Sequence, residues 1–409
     1  MKVCIVCYGL TENNIRLQPW RYFSEIAIGL SKKNFDVTII TDGSSEGQNL
    51  TGIPIRHVKK LRKLPFQSNT ELVSLIKSEQ PDIILWSVTA LDYLYLNIFK
   101  QIGIPVIGLF TGPIYKPSDI TRIGTHEILK NIKFLSAHIL YASLPSFFIR
   151  GLVNSLHCNK IFVMSRKNKE IIIEKGGDIR KVAHVPAGIE ESDFMKSNEF
   201  NSIISKYKLD KNSFNILYFG SPLSIRGTDS LIKAVSKVRT QHPLIKLIIL
   251  SRRRDGELSH EEMEIQDLIL KLGLEKNVQI ISGFLDKDEV KEFIAFSNLI
   301  ALPFKIVPSD VPTSILESMA MGKTVISTAL DGIPELLEDG RGFVVQPNND
   351  EDLAEKIIFS IQNRDLTKSM GKKAASYMQT YPRWHDVSEH VVSEIKQVLG
   401  RRSVSEAGL

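Results

Sequence analysis

The sequence predicts an α/β fold of two doubly wound parallel-sheet domains in tandem. Three observations carry that prediction. The chain has 409 residues, too many for one ordinary core and comfortable for two. Short β-branched runs alternate with helix-length stretches, as parallel sheets covered on both faces require. The alternation then restarts after a polar stretch at 190–212.

In the front half, residues 3–7, 37–41, 83–87, 106–110, 161–165 and 182–186 read as strands, with amphipathic segments such as 22–33 and 70–79 between them. In the rear half, 214–220, 246–250, 278–282, 299–303 and 324–328 read as strands, each followed by a loop and a helical pattern. The expected division is a front domain over 1–190 and a rear domain over 191–383. The remaining 384–409 then supplies a last helix, at about 384–399, returning toward the front domain, plus a tail. Such sheets bind ligands beyond the carboxyl ends of their strands, so two facing sheets define one crevice with a side for each ligand. Neither domain carries G-x-G-x-x-G after its first strand. "CYGLTENN" and "YFGSPLSIRG" both fail it, which argues against a dinucleotide enzyme.

Composition narrows the class. Hydrophobic content of 43% and charged content of 24% are those of a soluble globular protein. No apolar run is long enough to span a bilayer, and Met1–Lys2 leads directly into a strand with no small-residue cleavage site. With only three cysteines there is no disulfide framework, so the expectation is a cytoplasmic protein. Cys4 and Cys7 spell C-x-x-C, but three positions apart on a strand face opposite ways, and they read as core. Residues 1–190 hold 24 Lys+Arg against 15 Asp+Glu, while residues 191–409 hold 28 against 31. An anionic partner therefore belongs to the front half. No aromatic-interleaved basic stripe points to nucleic acid.

The segment "SDVPTSILESMAMGKTVIST" carries one carboxylate, Glu317, in a short apolar helix. Ser314 and Glu317 stand at capping-box spacing, and Gly322 is placed to close the helix in a left-handed conformation. Capping is one role for Glu317; holding a ligand is the other. "ESMAMGKTVIST" followed by "DGIPELLEDGRGFVVQPNNDEDLAEKI" resembles the signature of retaining GT-B glycosyltransferases, specifically glycosyltransferase family 4 (glycosyl transferase group 1). The similarity runs from about residue 160 to 384 and is most specific over 309–353.

The resemblance implies a GT-B fold and hexosyltransferase-type transfer of a sugar from a nucleoside diphosphate sugar, with no metal and no other cofactor. It implies that Glu317 binds the ribose hydroxyls and that backbone N–H groups near Thr313, Ser314 and Ile315 meet the diphosphate. A helix N-terminus is a ready anion site, which agrees. The family's sugar-contacting Glu, eight residues earlier, is here Ser309, with Asp310 beside it. The loop after Gly220 usually holds an Arg and a Lys on the diphosphate; Ser221 and Arg226 occupy those places. Arg226 is the candidate for stabilising the leaving diphosphate, since guanidinium binds phosphate oxygens as a fork. Thr228 is expected to cap the helix that follows. Arg252, at the next strand end, is a weaker candidate than an ordinary exposed loop arginine. Phe284 and Leu285 fall where the family flanks the base. "DKD" at 286–288 opens a helix and reads as capping, not as a metal site.

On the acceptor side the family's Gly-Gly loop is replaced by Leu17 and Gln18, with Arg16 and Arg21 as polar neighbours, and the family's His by Thr111 and Gly112. These departures keep two other readings open: a nucleotide-sugar-binding partner without activity and, more remotely, an epimerase. The acceptor expected is a glycan or a lipid-linked sugar. Over 119–157, Ile128, Ile132, Leu135 and Ile139 recur at helical spacing near Lys130 and Lys133. That pattern suits a helix covering the sheet, or a peripheral contact with the inner face of a membrane.

Overall fold

The computed structural model describes all residues except 44–48, 64–66, 195–200, 253–259, 284, 308 and 407–409. Two sheets organise the chain, as the alternating pattern predicts. The front sheet contains β1 (Lys2–Val6), β2 (Asp36–Thr41), β3 (Asn49–Leu50), β4 (Ile53–His57), β5 (Ile83–Ser87), β6 (Val106–Phe110), β7 (Lys160–Val163) and β8 (Val182–His184). Its order is β3-β4-β2-β1-β5-β6-β7-β8, parallel except for the β3–β4 pair at one edge. The rear sheet contains β9 (Phe214–Gly220), β10 (Ile245–Arg252), β11 (Val278–Gly283), β12 (Leu299–Leu302), β13 (Val325–Thr328) and β14 (Gly342–Val345). Its order is β11-β10-β9-β12-β13-β14, all parallel.

Each order reverses once, between β1 and β5 in front and between β9 and β12 behind. At such a switch point the two flanking loops diverge to opposite faces and leave a crevice open to a ligand. Strand residues are buried on both faces. Cys4 and Cys7 illustrate it: both are fully buried, in the separate apolar clusters on either side of the front sheet.

The chain crosses between the halves at two adjacent places. Ile189 pairs with Arg383, and the Ile189 N–H donates to the Pro382 carbonyl at 3.2 Å. A Cβ on Gly188 would stand 2.7 Å from the Trp384 nitrogen, so only glycine permits that approach. The last helix, Trp384–Glu406, then lies against the front half. Trp384, Val387, Val391 and Ile395 are buried in the same apolar cluster as Tyr22, Phe23 and the rear-sheet core. Lys160 forms a buried ion pair with Glu394 of that helix.

The 119–157 stretch is less regular than its spacing suggests. It breaks into Thr125–Lys130, Ile132–Ser143 and Ser146–Asn154, the last two bent by 75°. Leu135 is buried, and Ile128 and Ile139 pack partly against the core, which is the sheet-covering role. Ile132 is 45% exposed and departs from that face. Among the described residues no single helix is long and apolar enough to cross a membrane.

Candidate functional site

The rear switch point is built from two loops stitched together. After β9 the chain makes one 3-10 turn, Ser224–Arg226, and reverses at Gly227 with φ +81°. A Cβ on Gly227 would lie 1.8 Å from the Pro303 carbonyl oxygen. The Ile225 carbonyl accepts from the N–H groups of Lys305 and Ile306 at 3.2 and 3.1 Å. The Arg226 loop is therefore fixed against the loop that follows β12.

Two cations stand here, and their partners separate them. Lys305 is buried and pairs with Asp229 at 2.9 Å. Arg226 has no ion-pair partner among the described residues, and its buried Nε has no hydrogen-bond acceptor. Burial pulls its pKa below the usual guanidinium value, although it stays a cation at any ordinary pH. A half-buried guanidinium without an ion-pair partner at a ligand crevice invites an anion.

The helix Thr313–Ala320 begins beside it. Its N-cap is Pro312, which offers no side-chain cap. This corrects the expected capping box: Ser314 and Glu317 both lie inside the helix, and Glu317 does not reach back to a cap. Pro312, ahead of Thr313, has an extended backbone, and the helix starts two residues earlier than the motif suggests. Ile315 donates its N–H to the Pro312 carbonyl at 3.1 Å, so it is not available to a ligand in this arrangement. The N–H groups of Thr313 and Ser314 have no acceptor among the described residues. At the other end Gly322 does close the helix, with φ +68° and both Schellman bonds, Gly322 N–H to Met319 and Lys323 N–H to Ser318. Thr228 also departs from expectation: Gly227 is the N-cap of its helix, and the Thr228 hydroxyl turns to the Leu223 carbonyl. Asp286 does cap its helix, accepting from the Glu289 N–H at 2.7 Å.

Glu317 faces the front half. Arg21, on the helix Trp20–Lys32, approaches its Oε1 at 3.4 Å and binds Glu190 at 2.5 Å. Lys287 completes the network, pairing with Glu190 at 2.6 Å and Asp193 at 2.9 Å. Burial raises the Glu317 pKa to about 7 despite the opposing pull of Arg21. Arg21 is the residue the sequence undervalued, since its partner lies 296 positions away.

The remaining candidates fall in several places. Ser309 and Asp310 are fully buried, because the Thr111 carbonyl accepts from the Asp310 N–H at 3.1 Å and the Ser309 hydroxyl at 3.4 Å. The Gly112 carbonyl is likewise engaged, by Asn168 at 3.1 Å. Thr111 thus joins the two halves and is buried, whereas Gly112 is tied within the front half and borders open space. Gly220 ends β9 and Ser221 follows it, exposed, with its carbonyl accepting from the Tyr218 hydroxyl at 2.6 Å. Leu285 packs partly against the core. Arg16 is exposed, while both amide atoms of Gln18 are buried without partners. Phe284 and the Arg252 side chain lie outside the described residues.

Comparison with known proteins agrees with this architecture. Residues 199–377 match the family model for Glycosyl transferases group 1. An uncharacterized glycosyltransferase of Haemophilus influenzae is 22% identical over 380 residues, covering 91% of this chain and 94% of that one. The lipopolysaccharide 1,2-N-acetylglucosaminetransferase of Salmonella typhimurium is 22% identical over 53% of this chain and 56% of its own, so that match spans about half of the relative. The crystal structure of Anabaena HepE in complex with UDP superimposes with a TM-score of 0.73 at 15% identity, covering 97% of this chain and 100% of that one. The rear half of this chain is thus similar, over residues 199–377, to the Glycosyl transferases group 1 model, and the whole chain has a two-domain GT-B fold.

Proposed function

We propose that the protein is a retaining, hexosyltransferase-type glycosyltransferase that moves a sugar from a nucleoside diphosphate sugar to a hydroxyl of a glycan or lipid-linked acceptor. One observation carries the reading: an uncapped helix start and a half-buried arginine, with no ion-pair partner among the described residues, flank the same rear switch point. Arg226 and the Thr313 and Ser314 N–H groups would bind the diphosphate and stabilise the charge it gains as it leaves. Ionised Glu317 would accept bonds from the two ribose hydroxyls. The departing phosphate can itself take the acceptor's proton, so no histidine is required. Because Ser309 is sealed under Thr111, a donor would enter with the halves parted, and closure about the paired crossings near Ile189 and Arg383 would exclude water. No metal or other cofactor enters this scheme.

The UDP bound by the Anabaena neighbour supports the donor class. A lipid-linked acceptor draws support from the front half, where Leu129, Phe134, Leu140 and Phe147 are 73%, 40%, 49% and 46% exposed. Lys133 stands among them, exposed, whereas Lys130 is bound to Glu264 of the rear half at 2.6 Å. Flotation with anionic liposomes, lost on Phe134→Asp with Phe147→Asp, checks the membrane contact.

The test of the reaction is proton NMR of sugar freshly released from UDP-, GDP- or ADP-glucose without acceptor. Release with the donor's anomeric configuration supports retention. Release with the opposite configuration contradicts it, and binding with no release from any donor contradicts transfer.

A further inference from the structure

Arg21 stands in the first turn of the helix Trp20–Lys32, which has no acidic residue there and no side-chain cap. A cation at a helix start opposes the helix dipole, so the helix itself gives no reason for it. Its partners do. Nη1 donates to Glu317 at 3.4 Å, Nη2 donates to Glu190 at 2.5 Å, and Nε lies 3.8 Å from Glu25. The Trp384 ring covers another side, its centroid 5.9 Å from the guanidinium carbon. One buried guanidinium thus joins the front helix, the rear helix and both crossings between the halves.

The division of this fork matters for Glu317. Arg21 meets only Oε1 of that carboxyl. Oε2 has no partner among the described residues and is not closed off from the surface. The side chain as a whole is 25% exposed, so one oxygen is held and the other is open to a ligand.

Four charges face Glu317: Arg21 on the front helix, Lys287 on the helix Lys287–Phe296, and Glu190 and Asp193 beside the crossing. Burial raises the carboxyl most, the two acids raise it further, and the two cations oppose them, Arg21 more than Lys287. Lys287 is itself paired with Glu190 and Asp193, which leaves Arg21 as the cation bound to Glu317 directly. A carboxyl that titrates near neutral pH is only half ionised there, so loss of one facing cation leaves it mostly protonated.

We propose that Arg21 is a positioning residue for the nucleotide: it keeps Glu317 ionised and holds one carboxylate oxygen so that the other is free for the ribose. This rests on the reading of Glu317 as the ribose ligand, and Arg21 acts through that carboxylate alone.

Two readouts test it. Carbon NMR of glutamate-labelled protein follows the Glu317 carboxyl, its signal assigned by loss in Glu317→Gln. Titration calorimetry follows UDP-, GDP- and ADP-glucose, whose diphosphate diesters do not titrate between about pH 5.5 and pH 8.5. The proteins are wild type, Arg21→Met, Arg21→Lys and Glu190→Gln.

In Arg21→Met the Glu317 midpoint should rise by about one pH unit or more. Its ionised fraction at pH 7 then drops from about a half to about a tenth, and donor affinity there falls roughly fivefold, the gap closing toward higher pH. Arg21→Lys keeps the charge and should recover most of the shift. Glu190→Gln removes an acid that faces Glu317 and should move the midpoint the other way, to lower pH. A packing defect produces neither the opposite directions nor the rescue. Glu190 has a side chain 39% exposed, so its variant carries the comparison even where Arg21→Met does not fold.

Donor affinity that follows the Glu317 midpoint in wild type, with that midpoint unmoved in the variants, overturns the positioning role and spares the ribose reading. Midpoints that move as expected beside a donor affinity indifferent to pH overturn the ribose reading, and the positioning role with it.

Discussion

Glu317 and Arg226 are both half-buried, with opposite consequences. The Glu317 carboxyl titrates near 7 because burial outweighs Arg21. Its ionised form is the one that accepts ribose hydroxyls, so nucleotide affinity should rise between pH 6 and pH 8. Titration calorimetry on Glu317→Gln should show that slope flattened and affinity at pH 8 reduced about tenfold. Arg226 has no such pH dependence, being charged throughout. Arg226→Ala should fold normally and lose about 1.5–3 kcal/mol of nucleoside diphosphate binding, with less loss for the nucleoside alone. Both side chains were singled out in the sequence through the resemblance of their segments to the glycosyltransferase signature. The Arg21–Glu317 contact was not, since sequence patterns report neighbours along one element, and this pair joins two domains.

Two glycines with positive φ show how the elements divide between architecture and site. Gly227 at +81° has the Pro303 carbonyl where a Cβ would go, so Gly227→Ala must displace the Arg226 loop. The variant should lose both stability and nucleotide binding. Gly322 at +68° meets nothing nearer than 3.7 Å, so Gly322→Ala should cost only about 1–2 kcal/mol of conformational strain. Its nucleotide binding should be unchanged, and chemical denaturation beside calorimetry separates the two cases. Helices and strands were largely readable from periodicity, mostly to within a residue or two at their ends, but the last helix, read to about 399, runs on to Glu406. The helix start at Thr313 was misread because Ser-x-x-Glu spacing looks the same whether or not a proline has already opened the helix. The small β3 and β4 pair was missed because Pro54 interrupts the run, a residue tolerated only where the ladder is incomplete.

Across the whole molecule, carboxyl groups concentrate where the halves meet. Asp310 near 6, and Glu317 and Glu335 near 7, all lie above their ordinary values mainly through burial. A raised carboxyl favours the fold in its neutral form, so this stabilisation is complete below about pH 4 and lost as pH rises through 6 to 7. The melting temperature should therefore fall between about pH 4 and pH 7, and less steeply in Glu335→Gln. The return of the last helix adds a separate anchor. Lys160→Met would leave Glu394 without its buried partner, at a cost of about 3–5 kcal/mol in chemical denaturation. The sequence pointed to a helix returning toward the front half, but not to the seal at Thr111. That seal depends on how two separately patterned domains meet, and nothing in either pattern encodes that distance.

The central claim is that the rear switch point binds a nucleoside diphosphate sugar through Arg226 and Glu317. A thermal-shift panel of UDP-, GDP- and ADP-sugars with their free diphosphates, on wild type, Arg226→Ala and Glu317→Ala, tests it most directly. At a hundredfold over its dissociation constant a ligand should stabilise the wild type by about 2.7 kcal/mol. The account predicts that one base shifts the wild type and that both variants, cooperatively folded, lose most of the shift. A panel in which no nucleotide shifts the wild type, or in which both variants respond as fully as it does, would contradict the account.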